Sequence, residues 1–174
     1  VTFRLTGKFQ YDVQVLGALS ALERNMIQMA TGSGKTLTLI LPVVAFGLMH
    51  KGVYVLTVND YLSKRDWEET KPIYDWFELS NGYVSHDDED PEQQAVFAKD
   101  IIYCTNSTLG FAYLNSELAS DIGHDMKLIK RPLFAAIIDE ADEILMDDAR
   151  NPLIIASATD ISGDFDDVEF NGKS

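Results

Sequence analysis

The chain has a single cysteine, Cys104, among 174 residues. An internal disulfide is therefore excluded, and this usage suits a cytosolic protein. The thiol is expected as a small core residue following a strand. Basic residues are scarce as well. Fourteen Lys and Arg stand against 28 Asp and Glu, giving a net charge of −14 and a pI of about 4.4. Nucleic-acid readers carry a basic footprint, so a general affinity for RNA or DNA is not expected. Long apolar runs are missing. The most apolar stretch, residues 37–49, is broken by Thr38 and Pro42 and falls short of the roughly 20 residues that cross a bilayer. Val1-Thr2-Phe3-Arg4 shows no signal-peptide pattern. His50, His86 and His124 are scattered without metal-ligand spacing. The acidic stretch 86–91 matches no EF-hand loop and reads as a solvated turn. What is present is a hydrophobic fraction of 46% and enough length for one domain with a sizeable core.

The run Met29-Ala30-Thr31-Gly32-Ser33-Gly34-Lys35-Thr36 is the strongest local signal. It follows a short apolar segment and opens an apolar helix pattern from Leu37, the strand–loop–helix context of a phosphate-binding loop. The glycines let backbone N–H groups turn inward on a phosphate, and the following helix N-terminus adds partial positive charge. In this reading Thr31, Gly32, Ser33 and Gly34 cradle phosphate. Lys35 reaches the β- and γ-phosphates, and the Thr36 hydroxyl holds Mg²⁺. Met29 occupies the place of the first glycine of the general pattern, but Ala30 fits the looser A-x-T-G-x-G-K-T form. A plain Gly/Ser loop before a helix is the alternative, and it leaves Lys35-Thr36 unexplained.

Far along the chain, the apolar run 132–138 reads as a buried parallel strand and ends in Asp139-Glu140-Ala141-Asp142. The carboxyl end of a strand is where α/β sheets present ligand-binding groups. Asp139 there is a candidate Mg²⁺ ligand, and Glu140 is a candidate for orienting or deprotonating the attacking water. The competing reading is an acidic first turn of a helix, which suits the helix dipole.

Between these motifs, strand and helix patterns alternate. Residues 26–30, 53–58, 82–84, 100–104 and 132–138 read as strands, and 34–49, 62–77, 92–98 and 105–118 carry helical patterns. Pro42 is expected to kink or restart its helix. Trp67, Ile73, Tyr74 and Phe77 share an apolar face and are expected in the core. The alternation predicts an α/β domain of three layers, a mainly parallel central sheet covered on both faces. Residues 1–156 are assigned to this domain and 157–174 to an acidic linker or tail.

Several segments together resemble the SecA motor. They are Tyr11-Asp12-Val13-Gln14, the phosphate loop, Lys51-Gly52-Val53 with Thr57-Val58-Asn59-Asp60-Tyr61-Leu62, Tyr103-Cys104-Thr105-Asn106 with Gly110-Phe111, and Asp139-Glu140-Ala141-Asp142. Asp148-Ala149-Arg150-Asn151-Pro152-Leu153-Ile154-Ile155 completes the series in family order. The resemblance implies a RecA-like P-loop NTPase fold, the first nucleotide-binding (DEAD motor) domain of a protein translocase, with ATP and Mg²⁺ as cofactors. It implies Gln14 as the adenine reader, where the residue by itself reads as a polar surface group. It places Arg150 near the nucleotide or a domain joint, against the alternative of a surface arginine. It also implies preprotein substrate and a SecY-type channel as partners, no nucleic acid, and a cytoplasmic location with peripheral membrane association. Ser33 stands where the family usually has Glu, and Ala141 where it has Val, departures that lean toward an accessory SecA paralogue. The preprotein-crosslinking insertion would begin in the tail, and little turnover is expected from this stretch of chain by itself. A DEAD-box RNA helicase core is the alternative, as is a nucleotide-binding module without turnover. Against the helicase stand the acid balance and the absence of its P-T-R-E-L-A and T-P-G-R segments.

Overall fold

A computed structural model describes residues 1–122 and 127–154. Helices α1 (Thr2–Thr6) and α2 (Asp12–Leu22) lead into the phosphate loop and α3 (Lys35–Gly47). Strand β1 (Val53–Thr57), helix α4 (Asp60–Trp76), strand β2 (Asn81–Tyr83), helix α5 (Asp90–Phe97), strand β3 (Ile101–Thr105), helix α6 (Asn106–Ile122) and strand β4 (Ala135–Ile138) follow. A π-helical turn over Glu143–Asp147 and a 3₁₀ turn over Asp148–Arg150 come last.

The four strands form one parallel sheet in the order β2-β3-β1-β4. Every residue of β1 and β3 is buried, as apolar runs flanked by strands on both sides require. Successive side chains point to opposite faces. Val53 and Val55 of β1, with Ile101 and Tyr103 of β3, meet Ile40, Val43 and Val44 of α3 and Ile73 and Tyr74 of α4. Tyr54, Leu56, Ile102 and Cys104 face the other way, onto Phe97 of α5, Ala112 of α6, and Leu128, Ile129 and Ile144. The expected three layers are thus present. Trp67 and Phe77 pack against the first cluster beside Ile73 and Tyr74, and Cys104 lies in the core.

Two expectations are corrected. Residues 26–30 form no strand, and no strand among the described residues pairs with them. The segment still runs with alternating exposure, and a Cβ added at Gly17 of α2 would touch Met29 and Ile27. The strand 132–138 is shorter than its apolar run and sits at the sheet edge, not at its centre. Its residues are half-buried or exposed, since only β1 pairs with it. Of the two expectations for Pro42, the restart does not occur: α3 runs through it as one helix, with Pro42 buried.

Two signature turns are helix caps. Asn59 accepts a hydrogen bond from the Leu62 N–H at 2.9 Å and starts α4. Thr105 Oγ1 accepts one from the Thr108 N–H at 3.1 Å at the start of α6. Gly110, in α6, lies so close to Leu153 that any Cβ there would collide with the leucine side chain. The 105–111 and 148–154 segments are therefore in contact.

Candidate active site

The phosphate loop opens α3, and Asp139 follows β4 at the carboxyl edge of the sheet. The C-terminal end of α3 lies at the N-terminal edge, where Phe46 packs edge-on against Phe134, just before β4, with ring centroids 6.3 Å apart. A Cβ at Gly47 would sit 3.2 Å from Ile101, the first residue of β3. At about 1.5 Å rise per residue α3 is roughly 20 Å long, close to the span of a five-residue strand plus its turns. Its N-terminus at Lys35 therefore reaches the carboxyl edge, where Asp139 follows β4.

Gly32 and Gly34 adopt positive φ angles of 77° and 81°, the left-handed backbone that a curled anion-binding loop needs. Lys35 and Thr36 occupy the first turn of α3 and are half-buried. Lys35 takes part in no ion pair among the described residues, so its ammonium is available to an anion. The Ser33 hydroxyl is buried without a hydrogen-bond partner. Thr31 is exposed.

Gln14 is 3% exposed, at the start of α2. Its Oε1 accepts the Tyr11 N–H at 3.0 Å, and its Nε2 donates to the Ser33 carbonyl at 2.8 Å. The residue thus closes a capping box and holds the phosphate loop at the same time. A second N–H and a second lone pair remain on the amide for a base edge.

Asp139 donates its backbone N–H to the Leu56 carbonyl at 2.9 Å, which places it one step beyond β4 and level with Thr57, the last residue of β1. Its Oδ1 accepts the Glu140 N–H at 3.0 Å. Glu140 has φ 52°, a left-handed conformation that is costly for a residue with a Cβ. Its side chain is exposed at the mouth of a cavity of about 160 Å³, lined by Thr57, Val58, Leu62, Arg65, Asp66, Asp139 and Glu140. Lys35 and Thr36 do not line that cavity. The donor set suits a Mg·nucleotide: an open glycine turn, an unpaired lysine, a first-turn threonine hydroxyl and a strand-end carboxylate. Among the described residues no cluster of three or more His, Cys, Asp or Glu could hold a metal by itself, so phosphate oxygens and water would complete the coordination.

Sequence reasoning missed Arg65 and Asp66. Asp66 shares the core-facing side of α4 with Thr70 and Ile73, yet it is a carboxylate and only 5% exposed. A charge on an apolar helix face was the available signal. Burial raises the Asp66 pKa, and the hydrogen bond from Arg65 counteracts this while the Asp139 charge adds to it. The bond to Asp66 in turn raises the Arg65 pKa. Arg150 is exposed in the last 3₁₀ turn. His50 pairs with Asp100, and His86 stacks on Phe111, so neither points to a metal. His124, Ile155, the Ser157-Ala158-Thr159 segment and the tail 157–174 lie outside the described residues.

The profile of the SecA DEAD-like domain family matches residues 1–168. The chain belongs to that family. Among the relatives of this SecA DEAD-like domain are proteins named protein translocase subunit SecA. The one from Leptospira interrogans serogroup Icterohaemorrhagiae serovar Lai is 43% identical over 164 residues, covering 94% of this chain and 18% of the relative. Those from Bdellovibrio bacteriovorus and Coxiella burnetii are 42% and 44% identical over 161 residues, each covering 92% of this chain. The SecA DEAD-like chain spans under a fifth of the length of these relatives, 18% and 17% respectively. Family membership implies nucleotide binding, and it does not favour the helicase alternative. Among the described residues no helix is long and apolar enough to cross a membrane.

Proposed function

We propose that this chain is part of the first nucleotide-binding motor domain of a SecA-type translocase, and that it binds ATP with Mg²⁺ for hydrolysis. What supports this reading is the direction of α3, which starts at Lys35 and ends beside the first residues of β3 and β4, so that Lys35 is directed toward the carboxyl edge where Asp139 follows β4. When bound, Mg·ATP supplies the transferable γ-phosphoryl group and a cation that neutralises its charge. Lys35 and the N–H groups of residues 31–34 bind phosphate, and Thr36 and Asp139 hold the metal. Glu140 orients the attacking water and accepts its proton. Gln14 reads adenine while it holds the loop through Ser33.

In the whole polypeptide this site would drive preprotein through a SecY-type channel, from a cytoplasmic position with peripheral membrane attachment. Residues 1–156 are proposed to belong to the motor domain and 157–174 to be the start of a linker to an inserted domain. Phosphoryl transfer needs stabilising charge beyond Lys35 and the metal. Arginines from a second motor domain would supply it, and such a group contributes about 10³–10⁵ in rate.

The test is steady-state phosphate release with Mg·ATP, from this chain alone and from the full-length polypeptide. Turnover is expected from the full-length protein, abolished by Lys35→Ala, with little or none from the chain alone. A rate from the chain alone equal to that of the full-length motor would mean that the site is complete within these residues, and would sink the two-domain cleft.

A further inference from the structure

We infer that Arg65 is a further cation of the phosphoryl-transfer site and that Asp66 positions it, an inference that rests on the reading proposed above. Helix α4 starts immediately after the carboxyl end of β1, capped by Asn59. Its second turn carries Arg65 and Asp66 over the edge occupied by Asp139 and Glu140, and all four residues line the same cavity.

The pairing between them is unusual for its spacing. Consecutive helix residues do not face each other. Asp66 points toward the core, so the Arg65 chain must fold back to reach it. Its Nε and Nη2 both donate to Asp66 Oδ1, at 2.9 and 2.7 Å. Two contacts on one oxygen fix the direction of the guanidinium as well as its distance. A carboxylate buried to this degree requires such a partner, and the partner is thereby held beside the cavity. Arginine carries five N–H donors. Those not engaged by Asp66 remain available, since half of the Arg65 side chain is exposed.

The charge balance of the cavity gives the pair its role. Its lining has three carboxylates, Asp66, Asp139 and Glu140, and Arg65 is the one cation. Without Arg65, a phosphate entering beside Asp139 would meet three carboxylates and no positive side chain on this wall. The ligand class that fits the unused guanidinium donors is the γ-phosphoryl group, two of whose oxygens match the arginine fork.

The test uses the full-length polypeptide. Arg65→Ala, Arg65→Lys, Asp66→Asn and the Arg65→Ala/Asp66→Asn pair are compared for kcat, KM and ATP affinity, together with the thermal midpoint. Arg65→Ala is expected to lower kcat on the order of 100-fold, with ATP affinity changed by less than about threefold; its thermal midpoint should fall, because the buried Asp66 carboxylate loses its partner, and should recover in the double variant. Arg65→Lys should recover only part of the rate, because an ammonium cannot make the paired contacts. Asp66→Asn should lower kcat in the same direction, and the double variant should be no slower than Arg65→Ala. An unchanged kcat in Arg65→Ala would overturn the inference. So would a kcat that returns to the parent value together with the midpoint in the Arg65→Ala/Asp66→Asn pair, which is the signature of a purely structural ion pair. Failure of the parent protein to bind Mg·ATP, or turnover that survives Lys35→Ala, would instead sink the proposed function itself.

Discussion

The side-chain amide of Gln14 donates to the backbone carbonyl of Ser33 at 2.8 Å and ties helix α2 to the phosphate loop. The proposed base recognition and the shape of the loop would therefore depend on one side chain. Gln14→Ala should cost stability as well as selectivity. We expect a loss of about 1 kcal/mol in urea unfolding, and erosion of the preference for ATP over GTP in a nucleotide titration. Equal affinity of the unaltered chain for both nucleotides would remove the adenine-reading role and leave the structural one.

Glu140 projects from a left-handed backbone position at the cavity mouth, and it is exposed enough to be replaced without disturbing the core. In the full-length polypeptide, Glu140→Gln should leave ATP binding within about threefold of the parent and reduce turnover by on the order of 100-fold or more. Pre-steady-state binding and phosphate-release assays separate the two effects. A variant that binds poorly would assign Glu140 to positioning of nucleotide rather than to water activation.

The core carries a polar chain that no single position announces. Tyr74 and Tyr103 hydroxyls meet at 2.7 Å, Thr70 lies 3.2 Å from the Tyr103 hydroxyl, and Thr70 donates to the Asp66 carbonyl at 2.6 Å. Burial pushes the Tyr74 phenol up to about 12 and raises the Tyr103 phenol well above its usual range. Tyr103→Phe takes the 2.7 Å partner from the buried Tyr74 hydroxyl, while Thr70 keeps its bond to the Asp66 carbonyl, and should cost about 1–3 kcal/mol. Adding Tyr74→Phe should cost less than the two single changes combined. Urea unfolding of the three variants measures this directly.

Asp100 holds the N-terminal ends of three strands together. Its carboxylate accepts the Ser80 N–H at 3.0 Å and the Ser80 hydroxyl at 2.5 Å, just ahead of β2, and pairs with His50 Nδ1 at 2.9 Å, ahead of β1. Burial alone would raise its pKa, but the bonds from Ser80 and His50 prevail and hold it below the usual carboxylate range. A folded pKa lowered in this way gives stability that is present above the unfolded value, near 3.9, and lost as the pH falls through the folded one. Unfolding curves between about pH 5 and pH 2 should show that loss. Asp100→Asn should flatten the acid slope and cost about 1–2 kcal/mol at neutral pH.

The strands most legible in the sequence were those whose environment is uniform. Val53–Thr57 and Ile101–Thr105 are apolar throughout and buried throughout. Residues 26–30 and 132–138 carry the same apolar signal, but strand formation depends on a pairing partner that local pattern does not specify. The phosphate loop and the Asp139-Glu140 pair were legible because their chemistry demands particular residues at fixed spacing. Arg65 and Asp66 escaped because their meaning lies in the turn of α4 and in the cavity it overhangs. The amide of Gln14 was read as a base contact, whereas its grip on Ser33 is visible only once α2 is packed beside the loop.

Ladder pairing of β4 on one side alone makes its amides unequal. Those directed at β1 are bonded, while the alternate ones, among the described residues, have no strand to receive them. In deuterated solvent Ala135–Ile138 should therefore label in alternation, fast and slow, while β1 between its two neighbours stays protected. The strand that delivers Asp139 to the nucleotide edge thus carries its own reporter. Any strand that docks on the outer side, from this polypeptide or another, would erase the alternation residue by residue.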